Sequence, residues 1–262
     1  MPLVPLSQST QSGSWPAARS SVVWEDLRRA LSELSERRGR ELAVVDAGGG
    51  SGGFAVPLAE LGHRVIVVDP SPDSLASLER RATEAGVGDR VSGRQGDLDT
   101  LAEAVGAEQA DLLLCHDVLE IADDPRLGLA AVAAVLRPGG LLSLLAANRS
   151  AAVLGRVLAG RLDAAEVVLD GGKTGTTDRS IRRFDLGELV AFVEAAGMSV
   201  LEVHGDRVFS DLVPGAVLDT EPHGREVLAR LEEKVSRLPA YHAMATRLHL
   251  LARAGQGPEA DR

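Results

Sequence analysis

The stretch that most constrains this chain lies near its start. A short apolar run, Leu42 to Asp46, opens into Ala47-Gly48-Gly49-Gly50-Ser51-Gly52-Gly53. Glycine reaches positive φ without steric cost and weakens both helix and strand, so such a cluster marks a tight turn. An apolar run that stops at that turn reads as a strand buried on both faces, the kind found in parallel sheets. Phe54 to Leu61 then reads as a helix, with Pro57 tolerated in its first turns. A parallel strand needs a parallel neighbour and a right-handed crossover, so the rest of the chain has to repeat strand and helix.

It does so. The apolar strands Arg64–Val68, Asp111–Cys115 and Leu141–Ala146, with a weak strand at Arg90–Arg94, alternate with predicted helices over Ser71–Ala85, Leu98–Val105 and Pro125–Leu136. The last helix stops at Arg137-Pro138-Gly139-Gly140. An amphipathic helix from Ser20 to Arg38, with Val23, Leu27, Ala30, Leu31 and Leu34 on one face, precedes the first strand. Past Ala147 the rhythm changes, and 148–183, with a Gly/Thr/Asp-rich loop, reads as an insertion over the mouth of the site. A helix over Asp185–Ala196 and a strand over Met198–Val203 follow, and Arg207–Leu212 is expected to prolong the sheet. Arg225–Leu238 is a charged amphipathic helix and Tyr241–Ala252 a terminal strand. The fold class is α/β: a Rossmann-like doubly wound sheet of about seven strands, mostly parallel with an antiparallel C-terminal strand. Residues 20–254 are expected to form one domain, with a disordered leader at 1–19 and a flexible tail at 255–262.

Open α/β sheets bind ligands beyond the carboxyl ends of their strands. Gly48-x-Gly50-x-x-Gly53 formally matches a dinucleotide fingerprint. Asp46, just before it, argues for another ligand. A carboxylate there repels a pyrophosphate but attracts S-adenosylmethionine, which carries an ammonium and a sulfonium. Asp69 ends the second strand, 23 residues beyond Asp46, where a carboxylate accepts from ribose hydroxyls in either ligand class. Asp97 is placed either to meet an adenine amino group or to cap the next helix.

These residues carry a resemblance. Val44-Val45-Asp46-Ala47-Gly48-Gly49-Gly50-Ser51-Gly52 is similar to the first motif of class I S-adenosylmethionine-dependent methyltransferases, and Leu136-Arg137-Pro138-Gly139-Gly140 to their turn before the fifth strand. Within them the chain resembles the bacterial family that esterifies carboxymethoxyuridine at the wobble position of tRNA. Arg19 stands five residues before Trp24, as in that family, and His116-Asp117-Val118-Leu119-Glu120, Leu142-Ser143-Leu144 with Asn148, and Arg207-Val208-Phe209 have counterparts there. The resemblance implies S-adenosyl-L-methionine as cofactor, with Arg19, Asp46, Gly48, Gly50, Ser51, Asp69, Gln95, Gly96, Asp97 and His116 as candidate binding residues. The chain departs from the family where Ser51 replaces a Glu. It departs again in the insertion, where Lys173, Arg179, Arg182 and Arg183 alternate with Asp170 and Asp178 in place of a lysine run.

A carboxylate acceptor is ionised near neutral pH and needs an arginine clamp rather than a base. Arg149, Arg182, Arg183, Arg207 and Arg247 are candidates, with Arg207 and His116 taken as the substrate-positioning pair. An amine or hydroxyl acceptor would instead make His116 the base, or His116 packs against the adenosyl group. Glu120 either meets substrate or sits on a helix dipole. The acceptor is thus expected to be tRNA or a small metabolite. The net charge of −10 and only seven aromatic residues weigh against a general nucleic-acid binder. A catalytically silent cofactor-binding or scaffold protein and an NAD-dependent oxidoreductase are the alternatives from other classes. The single cysteine, Cys115, permits no intrachain disulfide and points to a cytoplasmic protein. No apolar stretch approaches the roughly 20 residues a bilayer span needs. The six histidines show no metal-ligand spacing, so no metal is expected.

Overall fold

The computed structural model describes residues 22–107, 109–171, 182–220 and 223–255. The expected leader, most of the tail and the charged loop with Lys173, Asp178 and Arg179 lie outside these residues. Helix α1 (Val22–Arg38) precedes strand β1 (Ala43–Ala47), and the alternation continues through α2 (Ala55–Glu60), β2 (Arg64–Asp69), α3 (Pro72–Glu84) and β3 (Val91–Gln95). Then come α4 (Leu101–Val105), β4 (Ala110–His116), α5 (Pro125–Val135) and β5 (Leu136–Ala147). The described part of the insertion forms two helices, α6 (Arg149–Leu158) and α7 (Leu162–Leu169), before α8 (Leu186–Ala195) and β6 (Met198–Asp206). Three helices, α9 (Gly215–Thr220), α10 (Gly224–Ser236) and α11 (Pro239–His242), lead into β7 (Arg247–Ala254).

All seven strands form one sheet in the order β3-β2-β1-β4-β5-β7-β6. Only β7 runs antiparallel, inserted between β5 and β6. The order reverses between β1 and β4, which fixes the crevice at the ends of those two strands. Each central strand is buried on both faces and sends alternate side chains to opposite layers. Val44, Leu112, Leu114 and Leu251 pack under α1, α2 and α3, whereas Val45, Leu113, Cys115 and Leu250 pack under α4, α5 and α8. That double burial explains why the sequence shows continuous apolar runs rather than alternation.

The helix starts follow their capping chemistry. Ser71 accepts from Ser74 N–H with Pro72 at the first helical position, and Asp124 accepts from Arg126 and Leu127 N–H ahead of Pro125. Three expectations are corrected. Arg207–Leu212 does not prolong the sheet. It is a turn whose backbone N–H groups at Val208, Phe209 and Ser210 all donate to the buried Glu232 carboxylate, at 2.7–2.9 Å. A strand pairing there would have to compete with that charged acceptor. The terminal strand begins at Arg247, because Pro239–His242 turns helical first. Glu120 does not start a helix, a place taken by Asp124.

Candidate active site

The carboxyl ends of β1, β2, β3 and β4 bring most of the sequence-nominated residues to one edge. Gly48 and Gly50 take φ of 72° and 55°, values that side-chain-bearing residues rarely adopt. A Cβ at Gly48 would stand 2.2 Å from Val118 Cγ2, and one at Gly49 only 2.4 Å from Asp46 Oδ2. The loop is therefore folded tightly over the Asp46 carboxylate. Asp69 braces it from β2. One carboxylate oxygen accepts from Gly50 N–H and the other from Ser71 N–H, each at 2.9 Å. Gly96 N–H donates to the Asp69 carbonyl, and Gln95 reaches the Pro70 carbonyl through Nε2.

Asp46 is 3% exposed, and its Oδ2 has no hydrogen-bond partner in the protein. Burial first, and then the neighbouring Asp69 charge, push its carboxyl up to about 7. His116, on the same face two residues beyond Leu114, is in a matching state. Its Nε2 is 2.8 Å from Ser143 Oγ, while the buried Nδ1 has no partner. Burial, aided by His249 and Arg247, holds the imidazole well below its usual range, so it is neutral at pH 7. Phe54 meets the ring edge-on at 4.8 Å. Two orphaned buried polar atoms beside a cradle that admits no Cβ fit a bound polar, cationic ligand, since such atoms are costly unless something satisfies them.

Other nominated residues are engaged locally. Ser51 is held by Arg81, which donates to both its hydroxyl and its carbonyl at 3.0 Å. Asp97 is exposed and binds Thr100 through its N–H and hydroxyl, and this local capping accounts for its lowered pKa. Arg207 lies at the same sheet edge but grips Asp211, and Arg247 pairs with Asp206 and Asp117. Arg149, Arg182 and Arg183 instead line a cavity of about 970 Å³ with Glu120, Arg126 and Phe184. There Arg149 pairs with Asp185 and Glu188, and Arg182 donates to the Ala122 carbonyl. Glu120 accepts from Ala147 N–H at 2.6 Å, and burial pushes its carboxyl to about 7. Burial also raises the Cys115 thiol far above its usual range, as an inert strand residue requires. Arg19 lies outside the described residues.

Sequence reasoning missed Phe54, Ser143 and His249. Ser143 Oγ lies 2.8 Å from His249 Nε2 as well as from His116, so a buried polar seam leaves the site along the α1 face of the sheet. The available signal was a serine and a histidine inside the apolar runs Leu141–Ala146 and Leu248–Ala252.

Comparison with known proteins agrees with this fold. A family model described as a methyltransferase domain matches residues 45–144. The tRNA 5-carboxymethoxyuridine methyltransferase of Escherichia coli K12 is 31% identical over 245 residues, 92% of this chain and 90% of that protein. A ubiquinone biosynthesis O-methyltransferase from Methylobacterium nodulans is 34% identical over 165 residues, 63% of this chain and 62% of that protein. Among solved structures, an S-adenosylmethionine-dependent methyltransferase from Mesorhizobium loti shares the fold, with a TM-score of 0.58 and 19% identity over 92% of this chain and all of the other. Magnesium protoporphyrin IX methyltransferase from Synechocystis, solved with S-adenosylhomocysteine, gives a TM-score of 0.57 at 16% identity, over 91% and 84% of the two chains. With its glycine cradle, buried Asp46 and reversal of strand order at the same crevice, the chain belongs to the class I S-adenosylmethionine-dependent methyltransferases, in the family of the tRNA 5-carboxymethoxyuridine methyltransferase of Escherichia coli.

Proposed function

We propose that this methyltransferase esterifies the carboxylate of a carboxymethoxyuridine at the wobble position of tRNA. The observation that carries this reading is the extent of the likeness to the Escherichia coli enzyme. It runs through 92% of the chain, whereas the ubiquinone-pathway relative matches 63%. In this reading Asp46, Gly48, Gly50, Ser51, Asp69, Gln95, Gly96, Asp97 and His116 hold the cofactor, with Arg19 contributed from the N-terminal segment. The protein acts in the cytoplasm, and the segment 148–183 covers the acceptor.

When bound, S-adenosylmethionine supplies a methyl group on a positively charged sulfur. Asp46 ionises against that charge and draws the cofactor's cationic end toward the end of β1. Asp69, pre-aligned by Gly50 and Ser71, offers acceptor oxygens to the ribose. A carboxylate acceptor comes to the reaction already ionised, which suits a neutral His116 whose Nε2 is committed to Ser143. The work left to the protein is alignment, and placing donor and acceptor in line is worth about 7–11 kcal/mol. Arg207 supplies the clamp by exchanging its two-pronged grip on Asp211 for the substrate carboxylate.

The test is nucleoside mass spectrometry on tRNA from a strain lacking the gene. The methyl ester of the wobble uridine should disappear and its free acid accumulate. An unchanged profile would move the assignment to a small metabolite, a reading favoured by the net charge of −10 and by Asp123, Asp124 and Asp170 at the rim of the cavity. Tight S-adenosylhomocysteine binding with no labelled acceptor in any cell fraction would leave a silent cofactor-binding protein. In vitro, Arg207→Lys should raise KM for unmethylated tRNA about 10- to 100-fold with S-adenosylmethionine affinity unchanged, because a point charge replaces a planar fork.

A further inference from the structure

The polar seam that starts at His116 ends in a second cluster, remote from the glycine loop. His204 on β6 and His249 on β7 are direct cross-strand partners, and Asp26 reaches them from α1. Their exposures are 2%, 0% and 1%. Among the described residues this is the one group of three or more His, Cys, Asp or Glu side chains whose ligand atoms converge, all lying within 4.8 Å of one another.

The outward atoms of the three side chains are already committed. His249 Nε2 is 2.8 Å from Ser143 Oγ, and His204 Nε2 is 3.4 Å from Glu202 Oε2. Asp26 Oδ1 accepts from Arg237 at 2.8 Å and Arg29 at 3.3 Å. What faces inward is two Nδ1 atoms and one carboxylate oxygen. His204 Nδ1 stands 3.4 Å from His249 Nδ1 and 2.9 Å from Asp26 Oδ2. That last approach is an ion-pair distance, and among the described residues His204 is the one group within reach of Asp26 Oδ2. One proton on His204 Nδ1 serves either His249 Nδ1 or Asp26 Oδ2, not both. A divalent cation serves all three.

We propose that Asp26, His204 and His249 bind a borderline first-row divalent metal ion of the zinc type, with water in the remaining position. Bonds of about 2.0–2.1 Å in a tetrahedral site put ligand atoms about 3.3 Å apart; the two separations from His204 Nδ1, 3.4 and 2.9 Å, bracket that value, and the third pair lies within 4.8 Å. Two imidazoles and a carboxylate suit zinc or cobalt better than magnesium or calcium. Glu202, Ser143 and Arg237 play the part of the outer partners that orient metal ligands. The ion ties α1 to the β6–β7 edge of the sheet, joining the start of the domain to its last two strands. It also reaches the active site. Metal on His249 Nδ1 leaves the proton on Nε2, which donates to Ser143 Oγ. The serine then donates to His116 Nε2 and keeps the His116 proton on Nδ1, the atom that faces the site without a partner.

The untagged full-length protein, stripped with EDTA and passed through gel filtration, should rebind about one equivalent of zinc. Its Tm should rise by about 5–10 °C with zinc and not with magnesium. Cobalt should give visible absorption bands that vanish in His204→Asn and His249→Asn but persist in His223→Asn, whose ring is exposed on another element. Glu202→Gln should weaken zinc binding about 10- to 100-fold. A cooperative thermal melt with native far-UV circular dichroism reports that each variant is folded, and where a variant fails that check the wild-type titrations decide. Less than a tenth of an equivalent bound with Tm indifferent to zinc, or a cobalt spectrum unchanged in both histidine variants, would overturn the proposal.

Discussion

Asp46 shows how one residue can serve two ends that conflict. Its carboxylate is buried against Asp69 with an oxygen left unpaired, which destabilises the ligand-free protein and prepares a place for a cation. Asp46→Asn should therefore raise the Tm of the ligand-free protein by several degrees at pH 8. The same change should weaken S-adenosylmethionine binding at least 10-fold, read by calorimetry. A variant that lost both stability and affinity would contradict this account. Affinity of the native protein should increase as pH rises through about 7, since Asp46 ionises there, and the asparagine variant should show a flatter profile. Gly48→Ala tests the neighbouring contact. A methyl group at φ 72° and 2.2 Å from Val118 Cγ2 should cost about 2–3 kcal/mol in chemical denaturation.

At the scale of elements, buried carboxylates fasten strands and turns. Asp111 at the start of β4 is fully buried and accepts two hydrogen bonds from Arg40, one from Arg137 and one from the Ala43 N–H of β1. Burial works against its charge, yet these donors win and hold the carboxyl below its usual value. Asp111→Ala should cost about 2–4 kcal/mol, since it strands a main-chain donor between two central strands. Glu232 does the same for the turn after β6. Glu232→Gln should loosen residues 207–210, seen as faster amide exchange at Val208, Phe209 and Ser210. Unchanged exchange there would mean that the turn holds without the charge.

For the molecule as a whole, two sets of buried groups give stability opposite pH dependences: His116 and His249, held below their usual range, favour the fold as pH rises to about 6.5, while Asp46 and Glu120 are both pushed up to about 7. Between the carboxyls' unfolded values near 4 and that point, the native state binds more protons on them than the unfolded chain does. The contribution of these two carboxyls to the stability of the ligand-free protein is thus greatest in mild acid and falls as pH rises toward 7, by on the order of 3 kcal/mol per group. Denaturant melts at pH 5.5 and 8.0 should show the Asp46 part by difference: the stability of Asp46→Asn relative to the native protein should be higher at pH 8.0 than at pH 5.5. A stability difference between the two proteins that did not grow with pH would refute the assignment.

Much of this molecule could be read from local pattern. The glycine turn, the apolar strands and the capping residues Ser71 and Asp124 each act through neighbours a few residues away, so β1 to β5 and the residues at their carboxyl ends were legible without coordinates. Much of the candidate site was legible for the same reason, because Asp46, the glycine turn, Asp69 and His116 lie at or directly after the carboxyl ends of strands. The chain pattern could not decide which distant strands pair. His204 and His249 are 45 residues apart and Asp26 lies on a different element, so no spacing betrays that they meet. Arg207 looked free until Asp211 was found in its grip, and Arg207–Leu212 looked like a strand until Glu232 was found under its backbone. Periodicity and turn chemistry are short-range and are written in order along the chain. Charge pairing and burial are set by three-dimensional neighbours, and only the packed sheet chose those.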